Sequence, residues 1–150
     1  MNDKQTNQGR NFTFEYDGIV RSLHTPIGIE SAIDTQDTIK IDGLWDTGAE
    51  CSLIRPEVAV RLNLQRVSET FICTPTGEDI PSKVYIVNIY LPNNAKILNL
   101  LVAEGIPNSC DILIGMDVIN LGDFVVSNFN DKTTFSFRIP SLMKIDFCEN

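Results

Sequence analysis

The chain has 150 residues, of which 43% are hydrophobic and 21% charged, a length and composition that suit one globular domain. Its formal net charge of -8 argues against binding to nucleic acid and against a polybasic membrane anchor. No apolar run approaches the roughly 20 residues that cross a bilayer, and the polar start MNDKQTNQGRN lacks a signal-peptide core. We therefore expect a cytoplasmic protein.

Short apolar or alternating runs separated by turn residues predict an all-β, mostly antiparallel domain. Residues 1–11 are polar and aperiodic, so we expect a disordered leader, a domain over 12–140 and a tail over 141–150. FTFEYDGIV and LHTPIGIESAI are predicted as strands joined around Asp17-Gly18, and TIKIDGLW as a further strand. RPEVAVRLNL then predicts one short helix with Pro56 at its first position.

The rest of the chain continues the strand pattern. The long run ETFICTPTGEDIPSKVYIVNIYLP contains a small, polar turn at residues 74–77, which is typical of a protruding hairpin tip. Residues 92–94 are predicted to close the next hairpin, which leads into AKILNLLVAEGI. DILIG is an apolar run, MDVINLG predicts one or two helical turns ended by Gly122, and DFVVSNFNDKTTFSFRI predicts a final hairpin turning at Asn130-Asp131.

The four cysteines are scattered, without a C-x-x-C pair, and His24 is the only histidine. This spacing does not predict a zinc site, so we expect no metal and no cofactor. In a reducing compartment the cysteines are expected to be half-buried free thiols.

The stretch GLWDTGAE, residues 43–50, places Asp46 at the end of an apolar strand among small residues. An Asp on such a loop suits water activation, but a lone carboxylate of ordinary acidity is a poor base near neutral pH. Two carboxylates about 3 Å apart cannot both ionise and therefore share one proton. One of them then accepts a proton from water while the other protonates the substrate carbonyl.

This chain has only one Asp-Thr-Gly triplet, because the other Asp-containing turns lack the full sequence. A dyad therefore requires two chains paired about a two-fold axis, each of which contributes Asp46. The sequence thus predicts a homodimer if Asp46 is catalytic.

Three segments together resemble the retropepsin-type aspartic peptidases, the single-lobe family of retroviral proteases and their cellular and bacterial relatives. They are WDTGAECSLI, FICTPTGEDIPS and ILIGMDVI, and the resemblance covers roughly Thr25 to Asn128 in the family's order. The ending DFVVSNFNDKTTFSFRIP is similar to that of bacterial members. The resemblance implies a single all-β acid-protease lobe with one or two short helices, acting as an endopeptidase on peptide or protein substrates.

The resemblance also implies roles for the residues of the Asp46 loop. Asp46 is expected to be catalytic, and Thr47 to hydrogen-bond across the two-fold axis. Gly48 and Ala49 are expected to line the cleft. Glu50 corresponds to an acidic residue of viral members that binds the substrate backbone, although it is one methylene longer.

Further roles follow for a flap and for a support beneath the loop. The flap is expected to close over bound peptide with Thr74, Pro75, Thr76 and Gly77. The apolar run ending at Ile114, together with Gly115, is expected to support the loop from below. No segment near either end matches the interdigitating dimer strand of the family.

Alternatives stand beside these roles. The same fold is also compatible with a catalytically silent peptide-binding or assembly module, or with a monomer in which Asp46 forms a structural turn. Asp117 is either a second acid near the site or, as we favour, a helix N-terminal acid that stabilises the macrodipole. Trp45 either lines a pocket or anchors the core, His24 is expected to be structural, and Cys51 to be buried and inert.

Overall fold

The computed structural model describes residues 10–35, 37–74, 76–92, 95–105 and 110–149. These residues form ten strands, two short α-helices and a 3-10 turn at Phe129–Asp131. In chain order the elements are β1 (Arg10–Glu15), β2 (Leu23–Ser31), β3 (Ile39–Trp45), β4 (Leu53–Ile54), α1 (Pro56–Arg61), β5 (Ser68–Cys73), β6 (Asp79–Tyr90), β7 (Lys96–Glu104), β8 (Ile112–Ile114), α2 (Met116–Ile119), β9 (Asp123–Ser127) and β10 (Thr134–Ile139). In the part of the chain so described, no helix is long and apolar enough to cross a membrane.

A closed barrel forms the body of the domain. Its strands run in the order β2-β3-β8-β4-β7-β6, and β6 pairs back onto β2 to close the ring. The pairings β3–β8 and β4–β7 are parallel, and the other pairings of the ring are antiparallel. Strand β5 pairs with β6 and projects the hairpin beyond the barrel. The predicted all-β, mostly antiparallel fold with two short helices is confirmed.

A second sheet, in the order β1-β10-β9, packs against one end of the barrel. The first two strands are joined around Asp17-Gly18 as predicted, but they belong to different sheets, since β1 pairs along its whole length with β10. Arg10 and Asn11, assigned to the leader from the sequence, form the start of β1. Residues 1–9 and the turn residues 93 and 94 lie outside the described part of the chain.

Aromatic packing explains why β1 joins β10 rather than β2. The second sheet covers Trp45 with a cluster of Phe12, Phe124, Phe135 and Phe137, whose ring centroids lie 4.8–6.1 Å from that of Trp45. Burial of rings of this size outweighs the usual preference for pairing with the next strand in sequence. Trp45 is 4% exposed, so it anchors the core and does not line a pocket.

The final hairpin turns as predicted. Asn130 and Asp131 both have positive φ, 54° and 58°, which is the backbone conformation that a tight turn between right-twisted strands requires. Beyond β10 the tail lies on the surface, where the carboxylate of Asp123 accepts hydrogen bonds from the hydroxyl of Ser141 and the N–H of Leu142.

The seam that closes the barrel contains a buried carboxylate. Glu30 on β2 is 6% exposed and lies opposite Asn88 of β6. Its Oε1 accepts hydrogen bonds from Asn88 Nδ2 at 3.0 Å and from Tyr90 Oη at 2.5 Å, and its Oε2 accepts one from Thr38 Oγ1 at 2.7 Å. Burial alone would raise the pKa of Glu30, but these hydrogen bonds and nearby Lys96 together lower it below the usual 4.5.

Glu30→Gln tests this seam. Both oxygens of Glu30 accept hydrogen bonds, so the NH2 group of glutamine would face a donor in either orientation. We therefore expect the free energy of unfolding to fall by about 1–3 kcal/mol near neutral pH. Because the folded-state pKa is lowered, the wild-type contribution is complete above 4.5 and is lost as pH falls through the lower folded value. The stability curves of the two proteins should therefore converge in acid.

Urea unfolding from about pH 7 to about pH 3 measures both effects. Glu15→Gln is the control, because Glu15 is exposed and forms a surface ion pair with Lys132 at 3.2 Å. A gap between wild type and Glu30→Gln that stays constant down to the lowest pH would contradict the role of the ionised carboxylate.

Candidate active site

Asp46 follows directly after β3, the strand that is paired with β2 on one side and β8 on the other. Its backbone N–H donates to Ile114 O at 2.9 Å, which continues the β3–β8 pairing by one residue. The side chain is half-buried, and its Oδ1 accepts a hydrogen bond from Gly48 N–H at 2.8 Å. Ala49 N–H donates to Asp46 O at 3.3 Å and closes the turn. The carboxylate is thus held by its own loop.

Residues 46–52, here called the Asp46 loop, rest on the turn between β8 and α2. Gly115 is the closest point, where an added Cβ would lie 2.8 Å from the carbonyl carbon and oxygen of Cys51 and 2.9 Å from Ala49 O. Met116 N–H donates to Ala49 O at 2.8 Å, and Asp117 N–H to Glu50 O at 3.2 Å. Only glycine permits this approach of two backbones. The structure therefore places Ile114, which is fully buried, and Gly115 beneath the loop.

A buried hydroxyl and a carboxylate complete this support. Ser52 is fully buried, and its Oγ accepts a hydrogen bond from Gly115 N–H at 3.1 Å. Ser52 donates its own N–H to Asp117 Oδ2 at 2.8 Å and its hydroxyl to Asp117 Oδ1 at 2.7 Å. Asp117 also accepts the N–H of Val118 at 2.9 Å. Asp117 lies in the first turn of α2, as expected, but its carboxylate mainly fastens the Asp46 loop.

The β5–β6 hairpin carries the residues expected to form the flap. Its tip is fixed by hydrogen bonds from Thr74 N–H to Glu78 O and from Gly77 N–H to Thr74 O, each 2.8 Å long. The hydroxyls of Thr74 and Thr76 lie 2.8 Å apart. Gly77 has a φ of 83°, a conformation that favours glycine. Pro75 lies outside the described residues.

Two adjacent cavities separate the Asp46 loop from this hairpin. The loop-side cavity has a volume of about 410 Å³. It is lined by Gly48, Ala49, Glu50, Cys51, Leu53, Phe71, Ile72, Cys73 and Asp79. The hairpin-side cavity has a volume of about 440 Å³. It is lined by Leu53, Pro56, Ile72, Cys73, Thr74, Ile80, Pro81, Glu104 and Gly105.

The cleft brings some of the predicted site residues together and leaves others at its edge. Gly48, Ala49 and Glu50 face the loop-side cavity, and Thr74 lines the hairpin-side cavity. Thr47 is exposed at the apex of the Asp46 loop.

Cysteine placement differs from the expectation. Cys51, Cys73 and Cys148 are exposed, and Cys110 is buried. The prediction that Cys51 is buried is wrong, because the loop turns its side chain outward while its backbone packs on Gly115. Partial burial, with the charges of Asp117 and Glu50, raises the pKa of the Cys51 thiol.

His24 lines neither cavity of the cleft. His24 Nδ1 lies 2.7 Å from Asp42 Oδ2 on the β2–β3 pair, so it takes part in a structural contact. Across the described segments, no group of three or more His, Cys, Asp or Glu side chains has an arrangement that could hold a metal ion.

No protein-family model and no curated protein sequence matches the chain. Among solved structures, a retropepsin-like aspartic protease from Rickettsia conorii superimposes with a TM-score of 0.53 and 13% identity, covering 87% of this chain and 94% of that chain. The EIAV protease in complex with an inhibitor gives a TM-score of 0.49 and 25% identity, covering 69% and 89%. The retroviral protease-like domain of Ddi1 from Leishmania major gives 0.47 and 15%, covering 86% and 100%.

The likeness to the Rickettsia protein shows that this chain has the retropepsin-like fold over most of its length. The resemblance inferred from the three sequence segments is thereby confirmed at the level of the fold.

Asp117→Asn tests the support of the Asp46 loop. Asparagine offers one acceptor oxygen where the carboxylate serves three donors, so in either orientation its NH2 group faces a donor. We expect the free energy of unfolding to fall by about 1–3 kcal/mol and amide exchange at Ser52 and Gly115 to accelerate.

Glu57→Gln is the matched control, because Glu57 is the acid in the first turn of α1 and its removal costs only the dipole contribution, about 0.3–1 kcal/mol. Urea unfolding and hydrogen exchange measure the two variants side by side. Equal small losses, with unchanged exchange at Gly115, would mean that Asp117 serves the helix alone.

Proposed function

We propose that this chain is an aspartic endopeptidase that acts as a homodimer, with one Asp46 carboxylate from each chain. The observation that carries the proposal is the Asp-Thr-Gly triplet itself. Its Asp follows directly after a central barrel strand, and its loop is fastened to Gly115, at the edge of a cleft covered by a hairpin. The retropepsin-like fold supports the same assignment.

The single triplet is the reason for proposing a dimer. The sequence contains one Asp-Thr-Gly triplet, so a single chain has no second loop of this kind to place a carboxylate beside Asp46. Thr47 and Gly48 are exposed at the apex of the loop, where a second copy related by a two-fold axis has access to them. Identical groups near such an axis approach each other, which is what a shared proton requires.

The proposed reaction begins with one Asp46 ionised and the other protonated. The ionised carboxylate takes a proton from a water molecule, whose oxygen attacks the carbonyl carbon of the peptide bond. The protonated carboxyl transfers its proton to the carbonyl oxygen, which gives a gem-diol. In the second step, the first carboxyl protonates the amide nitrogen as the C–N bond breaks. A gem-diol hydroxyl then returns its proton to the second carboxylate.

Substrate binding is assigned to the walls of the cleft. An extended peptide between the Asp46 loop and the hairpin forms main-chain hydrogen bonds to both, with Glu50 on one wall and Thr74, Thr76 and Gly77 on the other. Closure of the hairpin excludes water and aligns the scissile carbonyl with the dyad. Rigid support of the loop is required, because a misplacement of about 1 Å costs roughly a hundredfold in rate.

Asp46→Asn decides between catalysis and binding alone. We expect wild type to cleave a diverse peptide mixture at mildly acidic pH and the variant to lose about a hundredfold or more of this rate, since one partner of the acid–base pair is removed. Mass spectrometry of the products measures the rates, with Asp37→Asn, an exposed carboxylate before β3, as the control. Cleavage by Asp46→Asn at the same rate as by wild type and Asp37→Asn would mean that Asp46 has no part in the mechanism.

The dimer is tested separately by light scattering and by the dependence of rate on protein concentration. A dyad shared between chains requires the rate per chain to fall on dilution below the dimer dissociation constant. The rate should also fall as pH rises and the shared proton is lost. A rate per chain that is constant down to monomer concentrations would contradict the dyad, and a silent dimer would favour the peptide-binding module.

A further inference from the structure

The walls of the loop-side cavity carry two carboxylates over an apolar floor. Glu50 belongs to the Asp46 loop, and Asp79 begins β6 next to the hairpin tip, opposite Cys73. Leu53, Phe71 and Ile72 also line this cavity. Phe71 is 70% exposed, so most of its ring is open to solvent. The cavity thus combines an open apolar surface with two negative charges on opposite walls.

Several acidic groups of the domain have a cationic partner. Asp123 pairs with Arg138, Glu69 with Arg66, Glu15 with Lys132 and Glu104 with Lys83. None of the ion pairs among the described residues includes Glu50 or Asp79, and neither cleft cavity has a Lys or Arg in its described lining. The electrostatic potential in the cleft is therefore negative, because no cationic side chain of the described lining offsets the two carboxylates.

We propose that this cleft selects peptides that carry a Lys or Arg side chain beside an apolar residue, an inference that rests on the proposed function. The methylene stem of the basic side chain lies on the exposed ring of Phe71, and its charged end lies between Glu50 and Asp79. Long basic side chains bind in this way, with the stem on apolar surface and the head in a polar, wet environment.

The hairpin-side cavity accepts the apolar neighbour. Leu53, Ile72, Ile80 and Pro81 form its walls, and it shares Leu53, Ile72 and Cys73 with the loop-side cavity. Side chains two residues apart in an extended peptide point to the same face, so adjacent cavities are filled by such a pair. The substrate class is therefore apolar-x-basic or its reverse.

Glu104 is not a second site for a basic group. Its Oε1 lies 3.4 Å from Lys83 Nζ, and its Oε2 accepts a hydrogen bond from Tyr85 Oη at 2.5 Å. Burial and this hydrogen bond raise the pKa of Tyr85 to about 12, so the phenol remains a donor to the carboxylate. Both oxygens of Glu104 are thus already engaged, which leaves Glu50 and Asp79 to set the charge preference.

The test measures binding without cleavage. Fluorescently labelled peptides that differ only by Lys, Gln or Glu at one position, two residues from a Leu, are titrated onto the Asp46→Asn protein and followed by anisotropy. The Lys peptide should bind more tightly than the Gln peptide by about two- to fivefold per carboxylate, the factor expected of solvent-screened ion pairs. This preference should diminish as salt is added.

Charge variants locate the preference. Asp79→Asn and Glu50→Gln, each in the Asp46→Asn background, should each lower the Lys-over-Gln ratio, and Asp79→Lys should invert the Lys-over-Glu preference. Asp131→Asn is the matched control, because it removes one exposed negative charge at the β9–β10 turn, which lines neither cavity. It should leave the ratio unchanged. Thermal unfolding checks each variant, and if Asp79→Lys fails to fold, the neutral variants and the salt titration decide.

The outcomes separate this inference from the proposed function. Equal binding of the three peptides, or a ratio lowered as much by Asp131→Asn as by Asp79→Asn, would overturn the substrate preference. Wild-type cleavage of all three at one rate would leave the peptidase intact and remove only the preference. A protein that neither binds nor cleaves any of them would overturn both.

Discussion

The Asp46 loop keeps its shape because two stretches of backbone touch at Gly115. A single methyl group there would collide with the carbonyls of Ala49 and Cys51, so the approach exists only because this residue has no side chain. Asp46 N–H, Gly115 N–H and Met116 N–H all find acceptors across this contact. The position of the carboxylate follows from backbone geometry, which moves less than side chains do, and such rigidity is what the proposed pairing of two Asp46 carboxylates demands.

The barrel explains why these two stretches meet at all. Strands β3 and β8 run parallel, so the residues after each of them leave the sheet at the same end. Strand β4 then inserts between β8 and β7, which returns the chain to the same place after the loop. The parallel pairings within an otherwise antiparallel ring therefore bring the Asp46 loop onto Gly115, and the seam at Glu30 holds the ring closed around them.

Much of this arrangement was visible in the sequence, because its signals are local. The triplet after an apolar strand, the small polar turn at residues 74–77, the helix begun by Pro56 and the turn at Asn130-Asp131 each depend on a few neighbouring residues. The likeness of the fold to a known class was visible for the same reason.

What the sequence did not reveal depends on contacts between distant segments. The pairing of β1 with β10 follows from aromatic rings more than 100 residues apart, which no periodicity records. Ser52 carries no signal of its own, and its partner Asp117 resembles an ordinary helix-initiating acid until the fold brings the two together. The outward turn of Cys51 follows from the same backbone contact at Gly115.

The aromatic cluster that covers Trp45 is built from strands that are synthesised at different times. Trp45 precedes Asp46 directly, and the rings that cover it come from β1, β9 and β10, the first strand and the last two of the described chain. During synthesis, strand β3 emerges long before β10 exists to bury that indole. A growing chain therefore carries the triplet before the indole that directly precedes it is buried. Burial of Trp45 is therefore complete only after β10, the last strand of the described chain, has been synthesised.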